Sequence, residues 1–369
     1  MRIDKTQILA KQFMFTVACV LQASSLLTAF LAEIARQDSW LVVLLGFIVC
    51  LPLIWIYRCL MVRFPDKNLI QILEEVYGRI LGKIIGVSYL WFFVSLAALN
   101  VSDLSDFTKL TIMDETPAVV LMIMCILTAA LALSYGVRLV ALYSTMFSVI
   151  SFIILAGSFL LLINQIHPEC LLPILDLPPS KYIQGTHIIS TIPFGELVVM
   201  LMITPNIKLN SCKITKYLYG GFVMGGLNLL LVKIRDITVL GNTFHIFTLP
   251  SLVVLRLINL GEAFSRMEIL FAVVLIMLLF FKVSFLYYVS VLAMAQLMQV
   301  RDYRRLILSM GALIVTYALT LYPNLLLHAA SAREIQPMVW TVFEYLIPLL
   351  TLIIAKLRKL PQEAPGKEM

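Results

Sequence analysis

Long apolar runs with almost no charge are the feature of this sequence that most constrains its fold. Ten of them follow one another along 369 residues, and a helix needs about 20 mostly apolar residues to cross the hydrocarbon core of a bilayer. A soluble domain is about half apolar and a quarter charged, whereas this chain is 61% apolar and 13% charged. The sequence therefore predicts an all-α membrane protein with ten transmembrane helices. It excludes a soluble enzyme, a disordered chain and a disulfide scaffold.

The basic residues sort to one side of the predicted membrane domain, which is a single unit over residues 1–369. The approximate bounds of its ten spans are 8–34, 40–62, 84–107, 117–133, 139–163, 186–206, 214–232, 267–298, 306–323 and 338–355. With both termini in the cytoplasm, 19 of the 28 Lys and Arg residues fall in inner segments and eight in outer segments. Lys282 is then the one basic residue deep within a span, and the others within the bounds lie close to an end. This bias is the positive-inside pattern, and it predicts cytoplasmic termini.

The segment 237–265 is the one place where the number of spans is open, because its first part is apolar enough for an eleventh. An eleventh span would move the basic segments that follow to the outer side, against the positive-inside pattern. Gly241, His245 and Pro250 also interrupt it. We therefore predict an outer, partly re-entrant cap at 237–265 and a cytoplasmic tail at 359–369.

Span six is interrupted near its middle by Pro193, Gly195 and Glu196. Proline removes a backbone donor and glycine tolerates unwinding. A carboxylate within a span is costly unless it faces a cavity or a partner. A simple kink without a ligand role is the alternative, and the acid favours a functional break over it.

Span one is expected to be interrupted as well, because ten spans divide into five plus five. In transporters built from inverted repeats, paired broken helices form the substrate site near the bilayer midplane. The middle of span one contains Gln22, Ser24 and Ser25 but neither glycine nor proline. These serines can equally pack between helices or bond to the preceding turn, so a binding role and a packing role both remain open.

Span eight carries Lys282 near the middle of a long apolar helix. A lysine at that depth should pair with an acid, line a wet cavity or titrate. Snorkelling to an interface is the alternative, and the distance to either interface weakens it. We therefore expect Lys282 and Glu196 to face a common cavity and to neutralise each other in part.

The remaining polar residues do not predict a catalytic site. Asn100, Asp103 and Asp106 fall near the outer end of span three, where a solvated helix end is the simplest interpretation, and Glu344 is expected near the outer interface. The histidines lack metal-ligand spacing, and no Gly-rich phosphate loop is present. We therefore expect neither enzymatic activity nor a bound cofactor or metal.

Several short elements follow one another in a characteristic order over roughly residues 5–358. They are Gln37 to Leu41 opening span two, Arg63 to Pro65 closing it, Phe194 to Glu196 with Pro205 in span six, Leu260 to Phe271 before span eight, and Phe281-Lys282 within it. In this order and spacing they resemble the B subunit of GerA-type spore germinant receptors, a transporter-like component in endospore-forming bacteria.

This resemblance implies the amino acid–polyamine–organocation superfamily and a LeuT-like five-plus-five inverted repeat with broken helices one and six. It also implies a small nutrient germinant, often an amino acid, bound between spans one, three, six and eight. An A subunit and a lipoprotein C subunit would be the partners, in the spore inner membrane. Carried onto this chain, the ligand-binding residues are Gln22, Ala23, Ser24, Ser25, Leu99, Asn100, Val101, Phe194, Gly195, Glu196, Lys282 and Ser284.

Amino-acid carriers of that superfamily usually have glycine at the break in span one, where this chain has Ala23-Ser24-Ser25. This departure bears on how the chain would recognise the carboxylate of an amino acid.

Two other functions stay open beside a germinant-sensing subunit. One is a proton- or sodium-coupled carrier of amino acids or polyamines, with Glu196 or Lys282 as the coupling group. The other is a membrane scaffold whose cavity is vestigial.

Overall fold

The computed structural model describes residues 7–25, 31–207, 210–258, 267–322 and 325–361, and all regular structure within these ranges is helical. Helices occupy all ten predicted spans. The α-helices are α1 (Ala10–Ala23), α2 (Leu31–Ala35), α3 (Ser39–Arg63), α4 (Leu69–Tyr77), α5 (Arg79–Thr111), α6 (Ala118–Ser134), α7 (Val137–Leu161), α8 (Pro179–Ile189), α9 (Ser211–Leu240), α10 (Pro250–Arg256), α11 (Met267–Leu297), α12 (Ile307–Leu321), α13 (Leu325–Glu334), α14 (Gln336–Thr341) and α15 (Ile347–Leu357).

Seven helical stretches among the described residues are long and apolar enough to cross a membrane. They are Leu31–Arg63, Arg79–Thr111, Val137–Leu161, Pro179–Asn206, Glu268–Leu297, Tyr303–Leu321 and Gln336–Leu357. A further apolar helix, α6, is slightly shorter. The other two predicted spans correspond to α1, which has 14 residues, and to α9, which carries several charges. The bounds of the bilayer along each helix stay a prediction.

The broken sixth span lies at the centre of the bundle. In its most apolar window 94% of the residues are buried, against 33% in α7 and in the stretch Tyr303–Leu321. α5 and α11 are intermediate and pack along one another, while α1 packs against α9, α7 and α11. A helix that is apolar on every side can face lipid or the protein interior. The differences in burial therefore place span six, α5, α11 and α1 at the centre of the bundle and the less buried helices around them.

Span one is not the single helix 8–34 that its hydropathy indicates. α1 ends at Ala23, Ser24 and Ser25 form a turn, and α2 begins at Leu31. The residues between 25 and 31 lie outside the described part of the chain. The predicted interruption of this span is therefore confirmed, although it uses serines where glycine or proline is usual.

The helix of the seventh span extends past residue 232, the predicted end of that span, so Lys233 and Arg235 are helical and buried and do not lie in a solvated segment. α9 continues to Leu240 and buries both cations together with Asp236. Arg235 donates to a carboxylate oxygen of Asp236 at 2.7 Å and to the hydroxyl of Ser158 at 2.9 Å. A helix can carry charge into the protein interior when those charges are paired, and hydropathy along the chain cannot detect that pairing.

Beyond α9, the predicted outer cap contains only short helices. Gly241 ends α9 with φ +53, a conformation that glycine adopts readily, and a 3-10 helix follows at Gly241–Ile246. α10 has seven residues and packs against α9 and α11. Neither piece is long enough to cross a bilayer. Residues 259–265 of the cap and 362–369 of the tail lie outside the described residues.

Candidate functional site

The break in span six is a change of helix type with one extended residue inside it. α8 ends at Ile189, a π turn covers Ser190–Phe194, and a 3-10 helix runs over Gly195–Asn206. Ile192 has φ −109 and ψ 105, outside the helical region. Pro193 follows it, and its missing N–H explains why the regular hydrogen-bond ladder stops there. The predicted interruption of this span is confirmed.

Span ten contains a second irregular turn, and Pro348 follows it at the start of α15, where it lacks the N–H that would bond the carbonyl of Glu344. A π turn at Val342–Leu346 separates α14 from α15. The hydroxyl of Tyr89 donates to the carbonyl oxygen of Phe343 at 2.6 Å. π turns inside α-helices are rare and occur frequently at functional sites, so span ten belongs with spans one and six in the site.

Tyrosine hydroxyls bind the carbonyl groups that the two irregular turns release. The hydroxyl of Tyr57 lies 3.0 Å from the carbonyl oxygen of Gly195 and 2.9 Å from that of Glu344. The hydroxyl of Tyr345 donates to the carbonyl oxygen of Ser190 at 2.9 Å. Buried backbone carbonyls need such partners, and α3 supplies one that spans both turns.

Lys282 joins the breaks of spans one and six. Its Nζ lies 2.5 Å from Oε2 of Glu196 and donates to Oγ of Ser24 at 2.7 Å. The side chains of Lys282 and Glu196 are 0% and 2% exposed. The predicted pairing of these two charges is therefore confirmed, and the pair is shielded from solvent, where its electrostatic interaction is strong.

The rest of the predicted span-one and span-three set is buried except for Ser25, which is half-buried. Gln22 and Ser25 line a small cavity that Asn228 and Arg235 also line, and Ala23 is fully buried. On α5, Leu99, Asn100 and Val101 are all buried. The amide of Asn100 donates to the carbonyl oxygen of Leu96 at 2.8 Å.

Two predicted side chains point elsewhere. Phe194 packs between α3 and α9, with its ring centroid 6.0 Å from Phe47 and 5.3 Å from Phe222. Ser284 lies two residues after Lys282, about 200° around the helix, and donates to the carbonyl oxygen of Phe280. The structure therefore brings together Ser24, Glu196 and Lys282, and it directs Phe194 and Ser284 into packing contacts.

Asp103 is not the solvated helix end that its position indicates. It is 4% exposed, and its Oδ1 lies 3.5 Å from Nδ1 of His328 on α13. The ring of His328 stacks on Tyr322 with centroids 5.1 Å apart. This pair joins α13 to the C-terminal part of α5, a contact that a hydropathy profile cannot show because α13 is distant in sequence.

The expectation that Glu344 lies at the outer interface is wrong as well. Its side chain is 0% exposed, and its Oε2 lies so close to Gly195 that a Cβ at that position would overlap it. Glycine at 195 therefore makes room for a carboxyl group from span ten. The centre of the site holds two carboxyl groups, Glu196 and Glu344, and one amine, Lys282.

This arrangement is suited to holding a small polar or charged molecule, because opposite charges and broken helices meet in a dry interior. Within the ranges that the structure describes, no three His, Cys, Asp or Glu side chains gather as they would around a metal ion.

The chain is similar along most of its length to known sequences. The sequence model of the family described as spore germination protein matches residues 7–324. Two relatives from Bacillus subtilis (strain 168) are each 24% identical. Spore germination protein KB is similar over 99% of both chains, and the putative spore germination protein YfkT over 94% of both chains.

Solved structures share its fold. MhsT in complex with L-phenylalanine matches with a TM-score of 0.62 and 11% identity, over 95% of this chain and 99% of that chain. Mhp1, a nucleobase-cation-symport-1 family transporter with bromovinylhydantoin bound, matches with a TM-score of 0.61 and 12% identity, over 94% and 91%. Both are LeuT-fold transporters. The predicted all-α, LeuT-like fold is therefore confirmed, and the protein is an integral membrane protein.

Proposed function

The chain belongs to the spore germination protein family, and from that premise we propose that it is the transporter-like subunit of a nutrient germinant receptor. In this role it binds a small nutrient, which we propose to be an amino acid, and the binding triggers germination. The observation that carries the proposal is the contact of Lys282 with Glu196 and Ser24. That contact ties together the breaks of spans one and six, where proteins of this architecture bind substrate.

A zwitterion fits the charges of this site. Its carboxylate can take the place of Glu196 at the amine of Lys282, while its ammonium group binds the carboxylate that is released. The ion pair then opens without leaving either buried charge unpaired, which would be costly. Ser24, the other partner of Lys282, lies at the end of α1, so a ligand bound to Lys282 changes the restraint on span one.

Ligand binding acts by shifting the balance between two arrangements of the helices. The shift cannot exceed the difference between the ligand's binding free energies in the two arrangements. Sensing therefore requires only that the ligand prefer the arrangement in which Lys282 and Glu196 are apart. No chemical step is involved, and the proposal is of a non-enzymatic protein.

The proposal includes a setting and partners. The subunit works in the spore inner membrane with both termini in the cytoplasm, together with a receptor A subunit and a lipoprotein C subunit. Membership of the spore germination protein family supports this assembly, and the distribution of Lys and Arg supports the orientation.

Spores that carry Lys282→Met or Glu196→Gln at the native locus test the proposal. We expect both variants to lose the response to single nutrients that the wild-type receptor detects, because each leaves one half of the pair without its partner. Lys181→Met is the matched control, since Lys181 is exposed. Immunoblots establish that each variant is present in the inner membrane. An unchanged dose–response at normal protein levels would contradict the proposal.

A coupled carrier of amino acids or polyamines is the second candidate, and the likeness to the solved transporters favours it. Reconstitution separates the two functions. Sustained counterflow of a labelled amino acid by the purified chain in vesicles would establish a carrier. Binding without counterflow would agree with a sensor.

A further inference from the structure

Glu344 is a fully buried carboxyl group that the proposed ligand contacts do not use. It lies in the π turn of span ten, and neither of its oxygens has a hydrogen-bond partner among the described residues. Gly195, whose missing Cβ leaves space for it, is the residue before Glu196 in the break of span six. The structure therefore accommodates the carboxyl group of Glu344, but none of the described residues donates a hydrogen bond to it.

The charges around Glu344 balance only if it is neutral. Among the residues that the structure describes, Lys282 is the one cation that acts on Glu344, and it is already bound to Glu196 and Ser24. An ionised Glu344 would leave a net negative charge in the buried interior, and such a charge is strongly disfavoured. One proton on the cluster of two acids and one amine removes that charge.

The neutral donors packed around Glu344 are also committed to other acceptors. On α3, the hydroxyl of Tyr57 serves two backbone carbonyls, and the thiol of Cys50 lies 3.4 Å from the carbonyl oxygen of Ser190. The hydroxyl of Tyr89 on α5 binds the carbonyl of Phe343. Tyr345, on the same turn as Glu344, binds the carbonyl of Ser190. None of these groups donates to the carboxyl oxygens.

α8 contributes one more titratable group, which contacts span ten close to Glu344 in sequence. Nε2 of His187 lies 2.8 Å from Oγ1 of Thr341, three residues before Glu344. His187 is half-buried. It links α8, which leads into the break of span six, to the turn of span ten that precedes Glu344.

We propose that Glu344 is a proton-binding site, which holds a proton in the arrangement described here and releases it when spans six and ten separate. On release the O–H bond of the carboxyl group breaks, and the proton passes to water that the separation admits. The carboxylate that remains is stabilised by that water or by Lys282, once Lys282 leaves Glu196. The occupancy of Glu344 stands on its own geometry, whereas its coupling to a nutrient rests on the proposed function.

Infrared difference spectroscopy of the full-length protein in lipid bilayers tests the occupancy. A neutral carboxyl group has a C=O stretching band that a carboxylate lacks, and the band shifts in heavy water. We expect the spectrum of the wild type minus that of Glu344→Gln to contain this band at neutral pH. Glu334→Gln, the same change at an exposed glutamate on α13, should give no such difference.

Two results would overturn the inference. One is that the difference spectrum of Glu344→Gln lacks the neutral carboxyl band and shows the loss of a carboxylate instead. The other is that the carboxylate signal depends on sodium, which would make Glu344 a cation ligand.

Glutamine has the shape of the protonated acid, so Glu344→Gln should fold. Thermal unfolding gives a second measurement: raising the pH should destabilise the wild type more than Glu344→Gln, because a proton held only in the folded state is lost.

A pH-sensitive dye then tests the coupling, with a mixture of the twenty common amino acids as the probe. Proton release on addition of the mixture to the wild type, and none from Glu344→Gln, is the expected outcome. If the infrared band is present but the mixture neither binds nor releases protons, the proposed function fails and the proton site stands. If the mixture binds while the band is absent, the proton site fails and the proposed function stands.

Discussion

Replacing Lys282 by methionine should cost a free energy of unfolding that depends on pH in a definite way. Methionine has about the length and volume of the lysine stem but cannot neutralise Glu196, which is 2% exposed. Removing one partner of a buried ion pair typically costs about 3–5 kcal/mol. The lost hydrogen bond to Ser24 adds about 1 kcal/mol.

Protonation of the orphaned acid sets an upper limit to this cost. An unfolded glutamate has a pKa of about 4.3, and one pH unit corresponds to about 1.4 kcal/mol, so placing a proton on it at pH 7 costs about 3.7 kcal/mol. The limit falls by about 1.4 kcal/mol for each unit by which the pH is lowered. We therefore expect a loss of about 4–5 kcal/mol at pH 7 and only about 2 kcal/mol at pH 5, with the hydrogen bond to Ser24 included.

Reversible unfolding in mixed detergent micelles, measured by circular dichroism at both pH values, gives these differences between variant and wild type. The double variant Lys282→Met with Glu196→Gln should recover much of the loss at pH 7, because no unpaired charge is left. Lys181→Met should change the stability by less than about 0.5 kcal/mol. Equal losses at both pH values, or no recovery in the double variant, would refute the reasoning from charge.

Two further predictions concern the contacts between spans six and ten. Gly195→Ala should destabilise the protein by about 1–3 kcal/mol through overpacking, because the new Cβ overlaps Oε2 of Glu344; thermal unfolding measures this, and Gly157→Ala, where a Cβ meets open space, should not reproduce it. Tyr57→Phe should cost about 1–3 kcal/mol, since two buried carbonyl groups lose their shared donor. The matched control is Tyr135→Phe, at a residue that is 74% exposed, and a similar loss in both tyrosine variants would contradict the prediction.

The ion pair at the centre of the site was predictable from the sequence, whereas the third charged group was not. Lys282 and Glu196 interrupt long apolar runs near their middles, and energetics then requires each to find a partner. Glu344 also interrupts an apolar run, but closer to one end. Depth along a run does not show which way a side chain faces. Pro348 marks the end of the π turn, but a proline by itself does not show that Glu344 turns inward.

The same distinction explains the other differences between expectation and structure. Hydropathy predicts Lys233 and Arg235 to be exposed because it treats every charge as solvated, whereas both are buried and Arg235 is paired with Asp236 and Ser158. The family resemblance places Ser284 in the site with Lys282, although residues two apart lie on nearly opposite faces of a helix. Pairings between distant residues decide burial, and a single sequence does not show them.

The hydroxyl of Tyr57 on α3 connects the two irregular turns, because it lies between a carbonyl group of each span. One hydroxyl proton has two acceptors at nearly the same distance, 3.0 Å and 2.9 Å. A small slide of one turn past the other therefore transfers the hydrogen bond from one carbonyl to its neighbour without breaking it outright. The number of hydrogen bonds is the same before and after the slide. This contact therefore adds little to the free-energy cost of the motion beyond a reorientation of the Tyr57 side chain. In the proposed receptor, this would allow a response to a molecule that has only a few atoms with which to favour one arrangement over the other.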